Sequence, residues 1–225
     1  MSTYRIGYLV GSLAKGSINR KLAKALVKLA PPELVLQEIA IGELPLYSYD
    51  YDADYPEVAR RFKRALAEVD AVLFVTPEYN RSIPGALKNA IDWASRPWGQ
   101  NAFARKPSGV IGTSPGSIGT AVAQQHLRSV LCSCNSPLMN QVEAYIQFKP
   151  DMIDDDGNVA IPNTEKFLRT YMQEYAAFVK RVLTVLPREA GQRQPVLVFG
   201  EDERAMGLMV DEILDVMEEA LSIDA

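Results

Sequence analysis

The chain has 225 residues, of which 48% are hydrophobic and 23% are charged, proportions that exclude a disordered chain or a disulfide-dense miniprotein. Its formal net charge is −4 and no basic cluster occurs, which excludes a strong nucleic-acid binder. No apolar run approaches the roughly 20 residues that span a bilayer, and the N-terminus lacks the apolar stretch of a secretory signal, so we expect a cytoplasmic protein without a membrane partner.

Segments typical of strands and of helices alternate along the chain. Apolar residues recur at helical spacing from Leu22 to Leu29, and Pro31-Pro32 ends this first helix. Further helices are predicted over residues 56–69, 84–95, 118–134 and 163–187. Apolar runs predict strands over residues 4–10, 33–39, 70–76, 107–113 and 138–146. This alternation predicts an α/β fold, namely a flavodoxin-like doubly wound sheet of five parallel strands in the order 2-1-3-4-5, with helices on both faces.

The C-terminal residues 188–225 lie outside this alternation. We expect a single flavodoxin-like domain over residues 1–187, followed by a C-terminal extension. The elements predicted in the extension are a linker at 191–194, a short strand at 195–199 and an acidic amphipathic helix at 202–222.

The loop from Gly11 to Asn19 joins the first strand to the first helix. Ligands of open α/β sheets bind beyond the carboxyl ends of the strands, which is where this loop lies. Its glycines let the backbone approach an anion, the helix start offers free N–H groups, and Ser12, Ser17 and Asn19 add hydroxyl and amide donors. The loop therefore predicts a phosphate site, with an ordinary capped turn as the alternative. Ser17 stands where a P-loop has its lysine, which favours a phosphate monoester over a nucleoside triphosphate.

The segment from Thr76 to Gly85 follows the most apolar strand, and a proline near each end stiffens it. Backbone N–H groups in a rigid turn can bind the edge of a planar heterocycle, and the Tyr79 ring can cover its face. The alternative is a surface turn in which Asn80 and Ser82 cap the next helix.

The segment from Gly112 to Gly119 contains Gly-x-Ser-x-Gly at a strand-to-helix turn, where hydrolases place a nucleophilic serine. Ser114 is followed by Pro115, which has no N–H group to offer to an oxyanion hole. The sequence also has a single histidine, His126, and none later in the chain to complete a triad. We therefore interpret this loop as one that lines a ligand.

The two cysteines and the one histidine of the sequence give a weak metal-binding signal. Cys132 and Cys134 are separated by one residue, and without a second pair they are interpreted as reduced thiols in a helix. The single histidine, His126, is interpreted as a structural or interface hydrogen-bonding residue. We therefore expect no metal.

Two segments together resemble the NADPH-dependent FMN reductase family. The first runs from Gly11 to Ala23, and the second, Thr-Pro-Glu-Tyr-Asn-Arg-Ser-Ile-Pro-Gly-Ala-Leu-Lys-Asn-Ala-Ile-Asp-Trp, covers residues 76–93. The resemblance extends over about residues 4–185 and points to the soluble quinone, azo-dye and chromate reductases of that family. It implies a flavodoxin-like fold and non-covalent FMN.

The resemblance also implies which residues bind FMN. The residues implied at the phosphate are Ser12, Ser17 and Asn19, and Gly11 of the same loop is also expected to bind the cofactor. Those implied along the flavin ring and ribityl chain are Pro77, Glu78, Tyr79 and Asn80, and those at the other edge of the ring are Ser114 and Gly116. Ala14 stands where many family members have an arginine that contacts the phosphate. We expect Lys15 or a residue of a partner subunit to compensate.

The implied activity is that of an oxidoreductase. Hydride passes from NADPH or NADH through bound FMN to a small acceptor, such as a quinone, a flavin, an azo compound or a metal oxyanion, in a ping-pong cycle. No side chain is assigned a catalytic role, because the flavin N5 carries the chemistry. Two alternatives stay open, namely a flavodoxin-type electron carrier and an FMN-binding module without turnover.

The resemblance further implies a homodimer or homotetramer. The helix over residues 84–95 would contact a twofold-related copy through Leu87, Ile91 and Trp93. Its periodicity is equally compatible with packing inside the protein's own core.

Overall fold

A computed structural model describes residues 3–187 of the chain. The elements predicted at 195–199 and 202–222 lie outside these residues, as does the rest of the extension. In the described part of the chain, no helix combines the length and the apolar character that a membrane span requires.

Five parallel strands form one sheet in the order β2-β1-β3-β4-β5. The strands are β1 (Tyr4–Val10), β2 (Leu34–Glu38), β3 (Ala71–Val75), β4 (Ser108–Ser114) and β5 (Tyr145–Gln147). The helices are α1 (Ile18–Leu29), α2 (Glu57–Ala67), α3 (Gly85–Ser95), α4 (Ala121–Ser133) and α5 (Pro162–Val185). The flavodoxin-like α/β fold and the strand order predicted from the sequence are confirmed.

Two apolar cores flank the sheet, because alternate residues of a strand point to opposite faces. In β3, Ala71, Leu73 and Val75 pack in one core with residues of α1 and α5. Val72 and Phe74 pack in the other core with residues of α2, α3 and α4. Every residue of β3 is buried, which explains its uniformly apolar sequence. β3 therefore lies at the centre of the sheet, with β1 and β4 beside it.

The apolar face of α3 packs inside the protein. Leu87, Ile91 and Trp93 belong to the second core and are at most 1% exposed. The Trp93 indole N–H donates to the Pro45 carbonyl oxygen at 2.7 Å, which holds the loop before α2 against α3. The expectation that these three side chains contact a second copy is therefore wrong, and the alternative of core packing is confirmed.

β5 is much shorter than the strand predicted over residues 138–146. Side chains of α4 bond carbonyl groups in that stretch. The Arg128 guanidinium donates to the Met139 carbonyl oxygen at 2.8 Å. The Gln124 amide donates to the Ala144 carbonyl oxygen at the same distance. Leu138 pairs with Ser108 as an isolated bridge, and the chain then leaves the ladder until Tyr145. Between these points the side chains of α4 supply partners that a strand neighbour would otherwise supply.

Candidate functional site

The loops that follow β1, β3 and β4 meet at one edge of the sheet, because parallel strands end on the same side. The Gly11 N–H donates to the Val75 carbonyl oxygen at 2.9 Å. The Thr76 N–H donates to the Ile111 carbonyl oxygen at the same distance. A Cβ atom on Gly112 would lie 2.0 Å from the Thr76 carbonyl oxygen, so this close approach requires glycine. The three loops selected from the sequence therefore lie side by side.

The first loop ends in a capped helix. The Ser17 hydroxyl oxygen accepts the backbone N–H of Arg20 at 3.3 Å, so Ser17 is the N-cap of α1. This bond uses the hydroxyl as an acceptor and leaves its own proton available for donation. Ser12 and Ser17 are buried, whereas a Cβ atom on Gly16 would meet nothing within 4 Å. The loop thus offers two serine hydroxyl groups near the positively polarised start of a helix, with open space at Gly16.

Asn19 ties the first loop to the third. Its amide nitrogen donates to the Thr113 carbonyl oxygen at 2.9 Å, and its amide oxygen accepts the Thr113 N–H at 3.0 Å. The residue is only 1% exposed. The side chain implied as a phosphate contact is therefore bound to the end of β4, where it holds two loops together.

The second loop contains a two-residue turn. The backbone N–H and C=O groups of Tyr79 and Ser82 exchange two hydrogen bonds of 3.0 Å. The two residues between them have positive φ, 50° for Asn80 and 62° for Arg81. Such values at both central positions are typical of a type I′ turn. The turn projects Tyr79 toward solvent, with 49% of its surface exposed.

Glu78 and Ser82 join the second loop to α4. The Glu78 carboxylate accepts the backbone N–H groups of Val122 and Ala123, each at 3.0 Å. A negative charge is favourable at this position, because the first N–H groups of a helix lack intrahelical partners. The Ser82 hydroxyl oxygen lies 3.0 Å from the His126 Nδ1 atom. The alternative in which Asn80 and Ser82 cap α3 is wrong, since the N-cap of α3 is Pro84, without a side-chain bond.

The third loop closes on itself. The Ser114 hydroxyl donates to the Gly119 carbonyl oxygen at 2.5 Å, and the Gly119 N–H donates to the Gly116 carbonyl oxygen at 3.0 Å. Gly119 has a φ of 59°, so the chain turns here before α4 begins at Ala121. The start predicted at residue 118 is wrong for this reason. The Ser114 hydroxyl is bonded within its own loop.

An open cleft of about 340 Å³ lies between the second and third loops. The predicted residues that line it are Glu78, Asn80, Ser114 and Gly116. The lining residues that the sequence did not single out are Arg81, Pro115, Ile118 and Gly119. The other predicted residues lie at the same edge of the sheet, where Gly11, Ser12, Ser17, Asn19 and Pro77 are buried.

Arg81 was missed for a specific reason. An Asn-Gly pair between two strand-like residues is a strong signal for a type I′ turn, and here arginine occupies the position that favours glycine. Ile118 was assigned to a helix that begins later, at Ala121.

For residues 3–187, the structure has no cluster of three histidine, cysteine or acidic residues suited to a metal ion.

The chain is similar to known flavin-dependent reductases. Residues 4–151 match a protein family described as NADPH-dependent FMN reductase. The chain is 54% identical over 176 residues to 2-hydroxy-1,4-benzoquinone reductase from a Burkholderia species, an alignment that covers 78% of this chain and 96% of that protein. It is 46% identical over 178 residues to quinone reductase from Pseudomonas putida, with 79% and 95% covered.

A solved structure supports the same similarity. FerB from Paracoccus denitrificans, described as a flavoenzyme NAD(P)H:(acceptor) oxidoreductase, shares 45% sequence identity and superposes with a TM-score of 0.77. The alignment covers 80% of this chain and 98% of FerB. The similarity therefore includes nearly the whole length of each of these relatives.

Proposed function

The chain belongs to the NADPH-dependent FMN reductase family, and from this membership we propose that it is an FMN-dependent NAD(P)H oxidoreductase that reduces quinones. The observation that carries the proposal is the 54% identity, across 96% of its length, to a protein named 2-hydroxy-1,4-benzoquinone reductase. The overall reaction converts NAD(P)H, a proton and a quinone into NAD(P)⁺ and a hydroquinone.

The first loop suits the FMN phosphate. Ser17 and Ser12 supply hydroxyl donors, the start of α1 supplies a positive dipole end, and Gly16 leaves space above the loop. Asn19 contributes by holding this loop on β4 through its two bonds to Thr113. These features fit a single phosphate group, and we assign the compensation for the arginine missing at Ala14 to Lys15 or to a residue of a partner subunit.

The cleft between the second and third loops suits the flavin ring. We assign Pro77, Glu78, Tyr79 and Asn80 to one side of it, and Ser114 and Gly116 to the other. The chemistry that FMN supplies when bound is two-electron transfer from NAD(P)H to the acceptor. These residues would hold the ring, with backbone N–H groups of the two loops available to its edge. Glu78 faces α4 and Ser114 bonds its own loop, so neither is assigned a proton-transfer role.

We also propose that the protein acts in the cytoplasm as a homodimer or homotetramer. The support is the resemblance noted in the sequence, together with the exposed apolar side chains Leu46 and Tyr49, which are 83% and 80% exposed. They lie on the loop that Trp93 holds against α3. A mass measurement at dilute concentration tests this assembly, and a monomer would contradict it.

The first experiment is a visible absorption spectrum of the purified protein, recorded before and after anaerobic addition of NADPH. Flavin bands that bleach on NADPH are the expected result. A colourless protein that takes up no added FMN would contradict the function. A yellow protein that neither NADPH nor NADH bleaches would favour the electron carrier instead.

A further inference from the structure

Arg81 occupies a backbone position that favours glycine. It is the second of the two central residues in the turn closed by Tyr79 and Ser82, and its φ is 62°. A Cβ atom disfavours this conformation, so an arginine here costs free energy that a glycine would not. Strain of this kind is often found where a side chain serves a function. The strain at Arg81 therefore points to a function of its side chain.

The Arg81 side chain is the one cation among the described residues that line the cleft, and 70% of it is exposed. Its Nη1 atom forms an ion pair of 3.3 Å with one carboxylate oxygen of Glu78, which also lines the cleft. The Glu78 side chain, however, is only 7% exposed, and its other oxygen is bonded to two N–H groups of α4. The guanidinium group is therefore the more accessible of the two charges to a ligand in the cleft.

We propose that Arg81 is a specificity-determining residue that selects acceptors carrying a negative charge, the class to which an ionised hydroxyquinone belongs. This inference rests on the proposed quinone reductase function and names its substrate class. A hydroxyl group conjugated through the ring to a quinone carbonyl is a vinylogous carboxylic acid, so it ionises readily and spreads its charge over two oxygens. The ionised oxygen lies beside the carbonyl oxygen of the neighbouring ring carbon, and the planar guanidinium fork suits this adjacent pair, whereas a neutral quinone gains little from the charge.

Arg81 takes no part in the electron balance. The acceptor gains two electrons and two protons, from the hydride of NAD(P)H and one proton from water, and NAD(P)H is oxidised to NAD(P)⁺. The guanidinium stays protonated throughout, because its pKa lies far above neutrality. It acts by holding the anion over the site where reduction occurs.

The test compares two acceptors that differ in one ionisable proton. These are 2-hydroxy-1,4-benzoquinone and 2-methoxy-1,4-benzoquinone, in which a methyl group replaces that proton. The measured quantity is the ratio of their kcat/KM values, per bound flavin, for the full-length protein and for Arg81→Gly. Glycine relieves the turn, so this variant is expected to fold. We expect the hydroxy-to-methoxy ratio to fall about tenfold, the size of a lost hydrogen bond to a charged group.

Three comparisons distinguish an effect of the Arg81 charge on the ratio from an effect of the turn conformation. Arg81→Lys retains the charge without the fork, so its ratio should lie between those of the other two proteins. High salt should lower the ratio of the natural protein and leave that of Arg81→Gly unchanged. Arg105→Gly is the matched control, since Arg105 also has a φ of 62° and precedes β4, at the opposite edge of the sheet. Its ratio should equal that of the natural protein.

Two outcomes would overturn the inference while leaving the proposed function intact. The first is an equal loss of kcat/KM with both quinones in Arg81→Gly, which would show that Arg81 acts only through the conformation of the turn. The second is a hydroxy-to-methoxy ratio that is unchanged in Arg81→Gly, together with a raised KM for NADPH relative to NADH. This result would place the guanidinium at the phosphate group that distinguishes NADPH from NADH. Failure of the natural protein to oxidise NAD(P)H with either quinone would instead overturn the proposed function, and the inference with it.

Discussion

Single polar residues set the distances between the three loops. Asn19 bonds both backbone groups of Thr113, and Glu78 bonds two N–H groups of α4. Gly112 lets the ends of β3 and β4 approach within a distance that no side chain allows. Each of these residues acts on the backbone of a neighbouring element, which is a loop, a helix start or a strand end. The expected effect of replacing one is therefore on the spacing of the cleft as well as on stability.

Asn19→Ala is expected to lower the free energy of unfolding by about 2–3 kcal/mol, because two buried backbone groups of Thr113 lose their partner. Urea denaturation measures this change. Asn163→Ala, at an exposed position in the first turn of α5, is the control and should change stability by less than about 0.5 kcal/mol. Equal effects of the two substitutions would show that the bonds to Thr113 contribute nothing.

Asn80→Ala is expected to weaken FMN retention, because alanine disfavours the φ of 50° by about 1 kcal/mol. Asn80→Gly keeps the turn and should retain FMN nearly as well as the natural protein. The measurement is the flavin-to-protein ratio after gel filtration. If the alanine variant keeps stoichiometric FMN, the assignment of Asn80 to the flavin site is wrong.

At the scale of elements, α4 organises the ligand edge from two directions. The N–H groups of its first turn donate to the Glu78 carboxylate. In its next turns, the Gln124 and Arg128 side chains donate to carbonyl groups before β5. The helix thereby fixes the second loop on one side and shortens β5 on the other. The second loop and the helix are therefore joined by two part-buried hydrogen bonds.

Glu78→Ala is expected to lower the free energy of unfolding by about 1–2 kcal/mol, because the start of α4 loses both its acceptor and its negative charge. Glu78→Gln keeps an oxygen acceptor and should lose about half as much. Thermal or urea unfolding measures both. Glu57→Gln, in the exposed first turn of α2, serves as the control. A glutamine variant as unstable as the alanine variant would assign the whole effect to charge.

At the scale of the whole molecule, the described residues already form the complete five-stranded sheet, with both its cores. The superposition with FerB covers 80% of this chain but 98% of FerB. FerB therefore has the same fold without a counterpart for the rest of this chain. This supports the proposal that residues 1–187 form the functional domain.

Truncation after Pro187 is expected to leave FMN binding and the NAD(P)H-dependent reduction of quinones within about twofold of the full-length values. The reason is that α5 ends at Val185, with its apolar face packed in the first core. Steady-state rates per bound flavin and the mass in dilute solution are the measurements. A loss of flavin or a change of assembly would contradict the boundary and assign residues 188–225 a part in the site.

Local patterns in the sequence were enough to predict the fold class, the strand order and the three loops at the ligand edge. Buried positions recur with the period of a helix or a strand, so the apolar pattern of the sequence predicts the elements. Parallel strands end at the same edge of the sheet, so the loops that follow them are predicted to lie together. The resemblance of two sequence segments to a known family, rather than these patterns, implied Glu78, Asn80, Ser114 and Gly116, four residues that line the cleft.

Only the tertiary structure decided where individual polar groups find their partners. The carboxylate of Glu78 bonds N–H groups more than 40 residues away. Carbonyl groups before β5 are bonded by side chains from α4, and Leu87, Ile91 and Trp93 pack inward. Hydrogen bonds between distant residues leave no periodic signal, and an apolar helix face looks the same whether a core or a partner covers it. These choices depend on which elements lie side by side, and that is a property of the folded chain.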